Sequence, residues 1–202
     1  METEAHVPRL AVATKADIAD LAALARAELP TMTALHDEEG WITYQRFGAG
    51  RQPRESWTVM LRDSSEEGEL IGFAWVDDSM FVEAGITEPW WCINALAVIP
   101  SRRGQGFGTR LVEGVADAAR GAGVNLLFGQ TVPGAVAFWR RSGFTLAEPM
   151  EPLVTNNPAG RMNLDPTNLR LAPGHPDRWF VRYLATEPGS VRSGLVPASF
   201  LP

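Results

Sequence analysis

The chain has 202 residues, 45% of them apolar, and a formal net charge of −6. That length and apolar content suit one soluble domain with a real core, or one domain with an extension. The acidic balance argues against general nucleic-acid binding, which needs a basic face, and no run of about 18 apolar residues is present to cross a membrane.

Met1-Glu2-Thr3-Glu4 lacks the basic-then-apolar layout of a signal peptide, so a cytoplasmic protein is the expectation. Cys92 is the only cysteine, which excludes an intrachain disulfide and argues against a thiol zinc site. His6, His36 and His175 are far apart and show no metal-ligand spacing, so no metal is expected.

Arg9 to Ala13 reads as a first strand. Thr14-Lys15-Ala16-Asp17 has the form of a capping box with Asp in place of Glu. Ile18, Leu21, Ala22 and Ala25 follow at helical spacing, with Pro30 just beyond the end. Thr31 to Phe47 is expected to form a second helix, broken by Gly48-Ala49-Gly50. Trp57 to Leu61 and Leu70 to Val76 flank a polar turn, as in an antiparallel hairpin. A loop spans Asp77 to Pro89, and a dense apolar strand, Trp90 to Ile99, ends at Pro100.

Beyond a glycine-rich turn, Phe107, Leu111, Gly114, Val115 and Ala118 are expected to line one face of a helix stopped by Gly121 and Gly123. Val124 to Phe128 reads as a short buried strand. Pro133 opens a helix running through Arg141, Gly143 ends it, and Phe144 to Leu146 begins another strand. Residues 151–202 hold eight of the fifteen prolines. There only Trp179 to Leu184 reads as a strand, within a last sheet strand at about 179–185. Glu151 to Arg178 is expected to be a long structured loop, and the tail after Thr186 loosely ordered. The layout is α+β: a mixed, mostly antiparallel sheet flanked by helices, with residues 1–150 as core and 151–202 as an extension.

Ile93 to Leu111 carries the chemistry: a buried strand runs into a turn and straight into a helix. Gly104, Gly106 and Gly108 remove the Cβ atoms that would keep a ligand from the backbone. The N–H groups opening the helix lack intrahelical partners, and the helix dipole favours negative charge there. Together they form a pyrophosphate cradle, to which Arg102 and Arg103 add charge-assisted donors. A P-loop would need Gly-Lys-Ser/Thr, and the only lysine is Lys15. A dinucleotide fingerprint would need glycine where Thr109 stands.

Arg103-Gly104-Gln105-Gly106-Phe107-Gly108, preceded by Leu96-Ala97-Val98-Ile99-Pro100, resembles the main motif of the GNAT N-acetyltransferase family, Arg/Gln-x-x-Gly-x-Gly/Ala after a strand. Downstream, Ala135-Val136-Ala137-Phe138-Trp139-Arg140-Arg141-Ser142-Gly143-Phe144 is similar to a second family segment, and one helix and one strand separate the two. The resemblance implies the GNAT fold, acetyl-CoA as acyl donor, and direct attack of an amine on the thioester.

In that family the fourth and fifth strands diverge and the pantetheine arm lies between them. The resemblance implies that Leu96, Ala97 and Val98 bind the pantetheine through the backbone and that Arg103 to Thr109 hold the pyrophosphate. It also implies that the Val98 N–H is an oxyanion donor and that Phe138 and Arg141 lie near the cofactor. The family often has tyrosine, the usual acid, where this chain has Trp139, and asparagine where it has Val132. An indole cannot be that acid. Tyr183 and Tyr44 are the only tyrosines, and solvent is the alternative proton source. Asn94 either orients a water that accepts the amine proton or is a satisfied polar residue of the sheet. Glu83 and Glu88 stand just before the strand, as base, ammonium anchor or solvated loop acids.

From Asp63 to Ser101 there are eight acids and no Lys or Arg, a polarity that would steer a cationic acceptor. Trp41, Trp90 and Trp91 would either wall an acceptor groove or pack the core. The expected partner is a small-molecule amine, with no nucleic acid and no membrane. The resemblance leaves a homodimer open, and no residue pattern specifies one. A protein or peptide acetyltransferase and a non-catalytic acyl-CoA-binding module are the competing readings.

Overall fold

The first helix begins where Asp17 gathers the chain before it. Its Oδ2 accepts the backbone N–H and the hydroxyl of Thr14, both at 2.8 Å, as the Thr-x-x-Asp spacing predicts. The computed structural model of the protein describes residues 7–44, 56–64, 68–78, 90–156, 170–173, 177–184 and 194–200. Its contacts divide into two compact units, residues 1–82 with 94–117, and residues 83–93 with 118–202.

In the first unit, β1 (Arg9–Val12) pairs antiparallel with β2 (Ser56–Arg62), which pairs antiparallel with β3 (Leu70–Asp77). The hairpin follows the expectation, with Val59 opposite Ala74. Helix α1 (Ile18–Glu28) buries Ile18, Leu21, Ala22, Leu24 and Ala25. They join Leu35, Trp41, Met60, Phe73, Ala95 and Ala97 in one apolar cluster. Trp41 is wholly buried, donates its indole N–H to Leu35 O at 2.8 Å, and meets Phe73 edge to face. This tryptophan therefore packs the core and forms no groove wall.

Where a helix over Thr31 to Phe47 was expected, the described residues form a 3-10 turn, Thr33–Leu35, and then α2 (Glu38–Tyr44), while residues 45–47 lie outside the described residues. Asp37 explains the break: its Oδ1 accepts the Gly40 N–H at 2.8 Å, so it caps a new helix.

Strand β4 (Trp90–Val98) leads through the turn to α3 (Phe107–Gly121). Ile99 N–H donates to Ile71 O at 2.9 Å. Gly72 permits close approach, because a Cβ there would stand 2.5 Å from Ala97 O. On α3 the buried stripe is Leu111, Val112, Val115, Ala116 and Ala119, with Ala118 exposed and Phe107 and Gly114 half-buried. The expected face was thus rotated by about one residue. Apolar residues stand on both sides of the helix, and packing against the sheet selects among them.

In the second unit, β5 (Leu126–Thr131) pairs parallel with β4 over Trp90–Cys92. Strand β9 (Arg178–Tyr183) pairs antiparallel with all of β5 and with β6 (Thr145–Leu146). The hydrogen-bonded strand order is β1-β2-β3-β4-β5-β9-β6, a mixed, mostly antiparallel seven-stranded sheet. Helix α4 (Val136–Arg141) follows a 3-10 turn at Pro133–Ala135.

The C-terminal region departs from the expectation of loop and loose tail. β7 (Leu153–Asn156), β8 (Arg170–Leu171) and β10 (Gly194–Pro197) form a second sheet in the order β10-β7-β8. Leu153 and Leu195 are fully buried. Glu151 ties the end down: its carboxylate accepts the Ser199 and Glu148 backbone N–H groups, each at 2.6 Å. Burial of that carboxylate would raise its pKa, but these hydrogen bonds outweigh it and hold the group below its ordinary value.

Candidate active site

The strand end, the turn and the start of α3 all belong to the first unit. After Ile99 the chain makes a 3-10 turn over Pro100–Arg102, with Arg103 N–H on Pro100 O at 3.2 Å. Gly104 and Gly106 have φ of +76° and +84°, the left-handed region that favours glycine. A Cβ on either would meet no protein atom within 4 Å. Packing therefore does not require glycine here; backbone conformation does, and it leaves the outer side of the turn open.

The first backbone bond into α3 runs from Arg110 N–H to Gly106 O at 3.0 Å. The amides of Phe107, Gly108 and Thr109 precede it and have no acceptor one turn back. Gly104 to Gly106 and Thr109 are exposed. An anion would meet several N–H groups and the positive end of a fifteen-residue helix. This arrangement fits a pyrophosphate.

The two arginines are held differently from the expectation of free phosphate donors. Arg103 Nε donates to Val98 O at 3.0 Å, and its guanidinium pairs with Glu28 at the end of α1. Arg102 pairs with Asp63 at 3.2 Å. Gln105 folds back to donate to Ser101 O at 3.1 Å. Glu28 is not among the residues the sequence points to, and Asp63 enters there only as the first acid of the base-free stretch. For Glu28 a signal exists, since an acid in a helix's last turn opposes the dipole.

Backbone groups alternate sides along a strand. Because Ile99 N–H faces β3, Val98 turns its N–H and C=O away from β3, and Leu96 shares that direction. The Arg103 bond to Val98 O agrees with this. Ala97 lies on the side of the α1 core, buried. Asn94 is half-buried on β4, two residues before Leu96.

Phe138, Trp139, Arg141 and Tyr183 belong to the second unit. Trp139 is buried and its ring contacts Phe138, Phe144 and Phe180. Arg141 and Val132 are exposed, and Phe138 is half-buried. The Tyr183 hydroxyl donates to Leu195 O at 3.2 Å, and burial pushes its pKa up to about 12. Trp90 is buried and Trp91 half-buried. Glu83 and Glu88 lie outside the described residues, as does the side chain of Tyr44.

A separate cavity of about 460 Å³ in the first unit is lined by Asp20, Arg62, Glu69, Leu70 and Ile99, among others. Its Arg62 already bonds to Asp17, Asp20 and Gly68 O. Among the described residues, no group of three or more His, Cys, Asp or Glu could hold a metal ion. No helix among them is long and apolar enough to cross a membrane.

Comparison with known proteins matches the Acetyltransferase (GNAT) family model to residues 20–144, more than half of the chain. No curated protein matches. Among solved structures, Arabidopsis thaliana NAA60 in complex with acetyl-CoA is similar at TM-score 0.60 and 15% identity, over 88% of this chain and 98% of that one. The ribosomal-protein-S18-alanine N-acetyltransferase from Escherichia coli is similar at TM-score 0.57 and 14% identity, over 92% of this chain and 99% of that one. Aminoglycoside 6'-acetyltransferase type Ii is similar at TM-score 0.57 and 17% identity, over 89% and 99% respectively. At these identities the likeness speaks to the fold. The family match, with the strand–glycine turn–helix geometry, identifies the chain as a member of the GNAT family, the acyl-CoA-dependent N-acetyltransferases.

Proposed function

We propose that the chain transfers an acetyl group from acetyl-CoA to a primary amine of a small, cationic molecule. The observation that carries this reading is the run from Val98 to Thr109. There, strand backbone groups turned away from β3 lead into unpartnered amides at the head of α3. Acetyl-CoA, when bound, supplies an activated acyl carbon and a good leaving thiolate.

The chain's own residues supply position and charge. Leu96, through its N–H and C=O, and Val98, through its N–H, offer backbone groups to an extended arm, as an added strand would find them, while Ala97 between them turns its own toward β3. Gly104, Gln105, Gly106, Phe107, Gly108 and Thr109 form the phosphate cradle, chiefly through N–H groups, with Arg103 at its start, its own N–H and guanidinium already bonded. The Val98 N–H stabilises negative charge on the carbonyl oxygen. Residues 1–150 act as the catalytic core, and 151–202 as an extension.

The amine must lose its proton to expose a lone pair. Asn94 orients the water that accepts it, while Glu83 and Glu88 anchor the cationic acceptor. The N–C bond then forms as the C–S bond breaks, and the departing thiolate takes a proton from solvent. Tyr183 is the candidate acid within the protein, but its hydroxyl is already committed and its pKa is about 12. Holding both reactants in register supplies most of the acceleration.

The acceptor class rests on the base-free stretch from Asp63 to Ser101. A ribosomal-protein acetyltransferase and an aminoglycoside acetyltransferase resemble the chain equally in fold, at TM-score 0.57 each. A protein acceptor is therefore the second reading. The test is acetyl-CoA-dependent release of CoA thiol across polyamines, amino acids, aminoglycosides and short peptides. Release with one cationic small-amine class supports the proposal. Release with peptides alone moves the function to the second reading, and silence with acetyl-CoA still bound favours a non-catalytic module.

A further inference from the structure

Resting on the role proposed for the turn, we infer that Glu28 is a positioning residue for the phosphate cradle, acting through Arg103. The Arg103 side chain leaves the turn and spans two acceptors. Nε reaches Val98 O at 3.0 Å, and Nη2 reaches Glu28 Oε2. Val98 is the last residue of β4 and Glu28 the last of α1. One guanidinium thus ties the start of the turn to the ends of a strand and a helix that lie 75 residues apart from it in the case of Glu28.

Local helix physics does not account for Glu28. An acid in the last turn sits at the negative end of the helix dipole. Its side chain is only 15% exposed, against 55% for Arg103, so it also loses much of its hydration. Arg103 compensates both costs. The turn needs such an anchor, because Gly104 and Gly106 give it wide conformational freedom at φ above zero. The cradle binds only if its amides converge. Fixing Arg103, immediately before Gly104, fixes where they start. A lysine has no planar fork and cannot bridge the same two acceptors.

This arrangement assigns Arg103 a different part from a free cation. Its charge is matched by Glu28, so attraction for the pyrophosphate comes mainly from the amides and the helix terminus. Removing Glu28 would then harm acetyl-CoA binding, although it deletes a negative charge. A competitor model predicts the reverse: without Glu28 the arginine is released and binding tightens.

The experiment is a double-mutant cycle on acetyl-CoA affinity, by calorimetry, with wild type, Glu28→Gln, Arg103→Gln and the double variant. Amide hydrogen exchange of residues 104–109 in the ligand-free proteins gives a second readout. We expect Glu28→Gln to weaken binding roughly 3- to 10-fold, a modest effect for a partly exposed pair. The double variant should bind no more weakly than Arg103→Gln alone. Exchange should speed up at residues 104–109 and stay unchanged in the centre of α3. Unchanged or tighter binding by Glu28→Gln, or a double variant whose loss is the product of the two singles, overturns the inference. A wild type that does not bind acetyl-CoA overturns the reading of the turn itself, and this inference with it.

Discussion

The indole of Trp139 lies flat on the ring of Phe180, with centroids 3.8 Å apart and planes 17° apart. Phe144 closes the stack from the side at 5.1 Å. Trp139 stands where the family often places its acid, yet here it is 5% exposed and serves packing. Trp139→Phe should keep kcat within a few-fold, because a ring still fills the stack. Trp139→Ala should cost about 3–5 kcal/mol of stability through the cavity it leaves. Thiol-release kinetics and chemical denaturation check both. A loss of several orders in kcat for the Phe variant would mean that the indole takes part in the chemistry.

Tyr183 tests the proton source. Its hydroxyl donates to Leu195 O, and a Cβ on Gly194 would fall 2.2 Å from the Tyr183 hydroxyl oxygen, so the phenol is wedged against β10. With its pKa raised to about 12, it is a poor acid near neutrality. Tyr183→Phe should therefore leave the pH profile of kcat unchanged and cost about 1 kcal/mol of stability. Loss of the basic limb of that profile would identify Tyr183 as the donor to the thiolate.

Much of the site was legible because its signals are local. Thr14 and Asp17 stand three residues apart, two apolar runs flank a polar turn in the hairpin, and the glycine turn joins an apolar strand to a helical repeat. What escaped depends on distant partners. Glu28 meets Arg103 across 75 residues, and β7 finds β10 about forty residues away, through Pro197 opposite Leu153. A short proline-bearing strand has no periodicity of its own to reveal it. The α3 stripe was misplaced because Ala118 and Ala119 look alike until the sheet buries one of them.

Asp17 gives a pH-dependent contribution to stability. Burial would raise its pKa, but hydrogen bonds from Thr14 and Arg62 outweigh it and hold the carboxyl below its ordinary 3.8. The folded state thus binds fewer protons than the unfolded one. The contribution is present above about 3.8 and is lost as pH falls through the lower folded value. Asp17→Asn should be destabilised by roughly 1–2 kcal/mol at neutral pH. The gap to wild type should narrow in urea titrations below about pH 3.8. A gap that stays constant into strong acid would show that the charge of Asp17 contributes nothing.

The central claim is that the amides opening α3 hold the phosphates of acetyl-CoA, and Thr109→Glu tests it most directly. Thr109 is exposed in the first turn of α3, which carries no acidic residue. A carboxylate there interacts well with the helix dipole and should stabilise the fold by about 0.3–1 kcal/mol. It would also occupy the amides and repel a pyrophosphate. Calorimetric binding of acetyl-CoA, measured beside the thermal midpoint, should show affinity falling by at least about tenfold (some 1.4 kcal/mol) while the midpoint holds or rises. Binding equal to that of wild type, with the fold intact, would contradict the assignment of the turn.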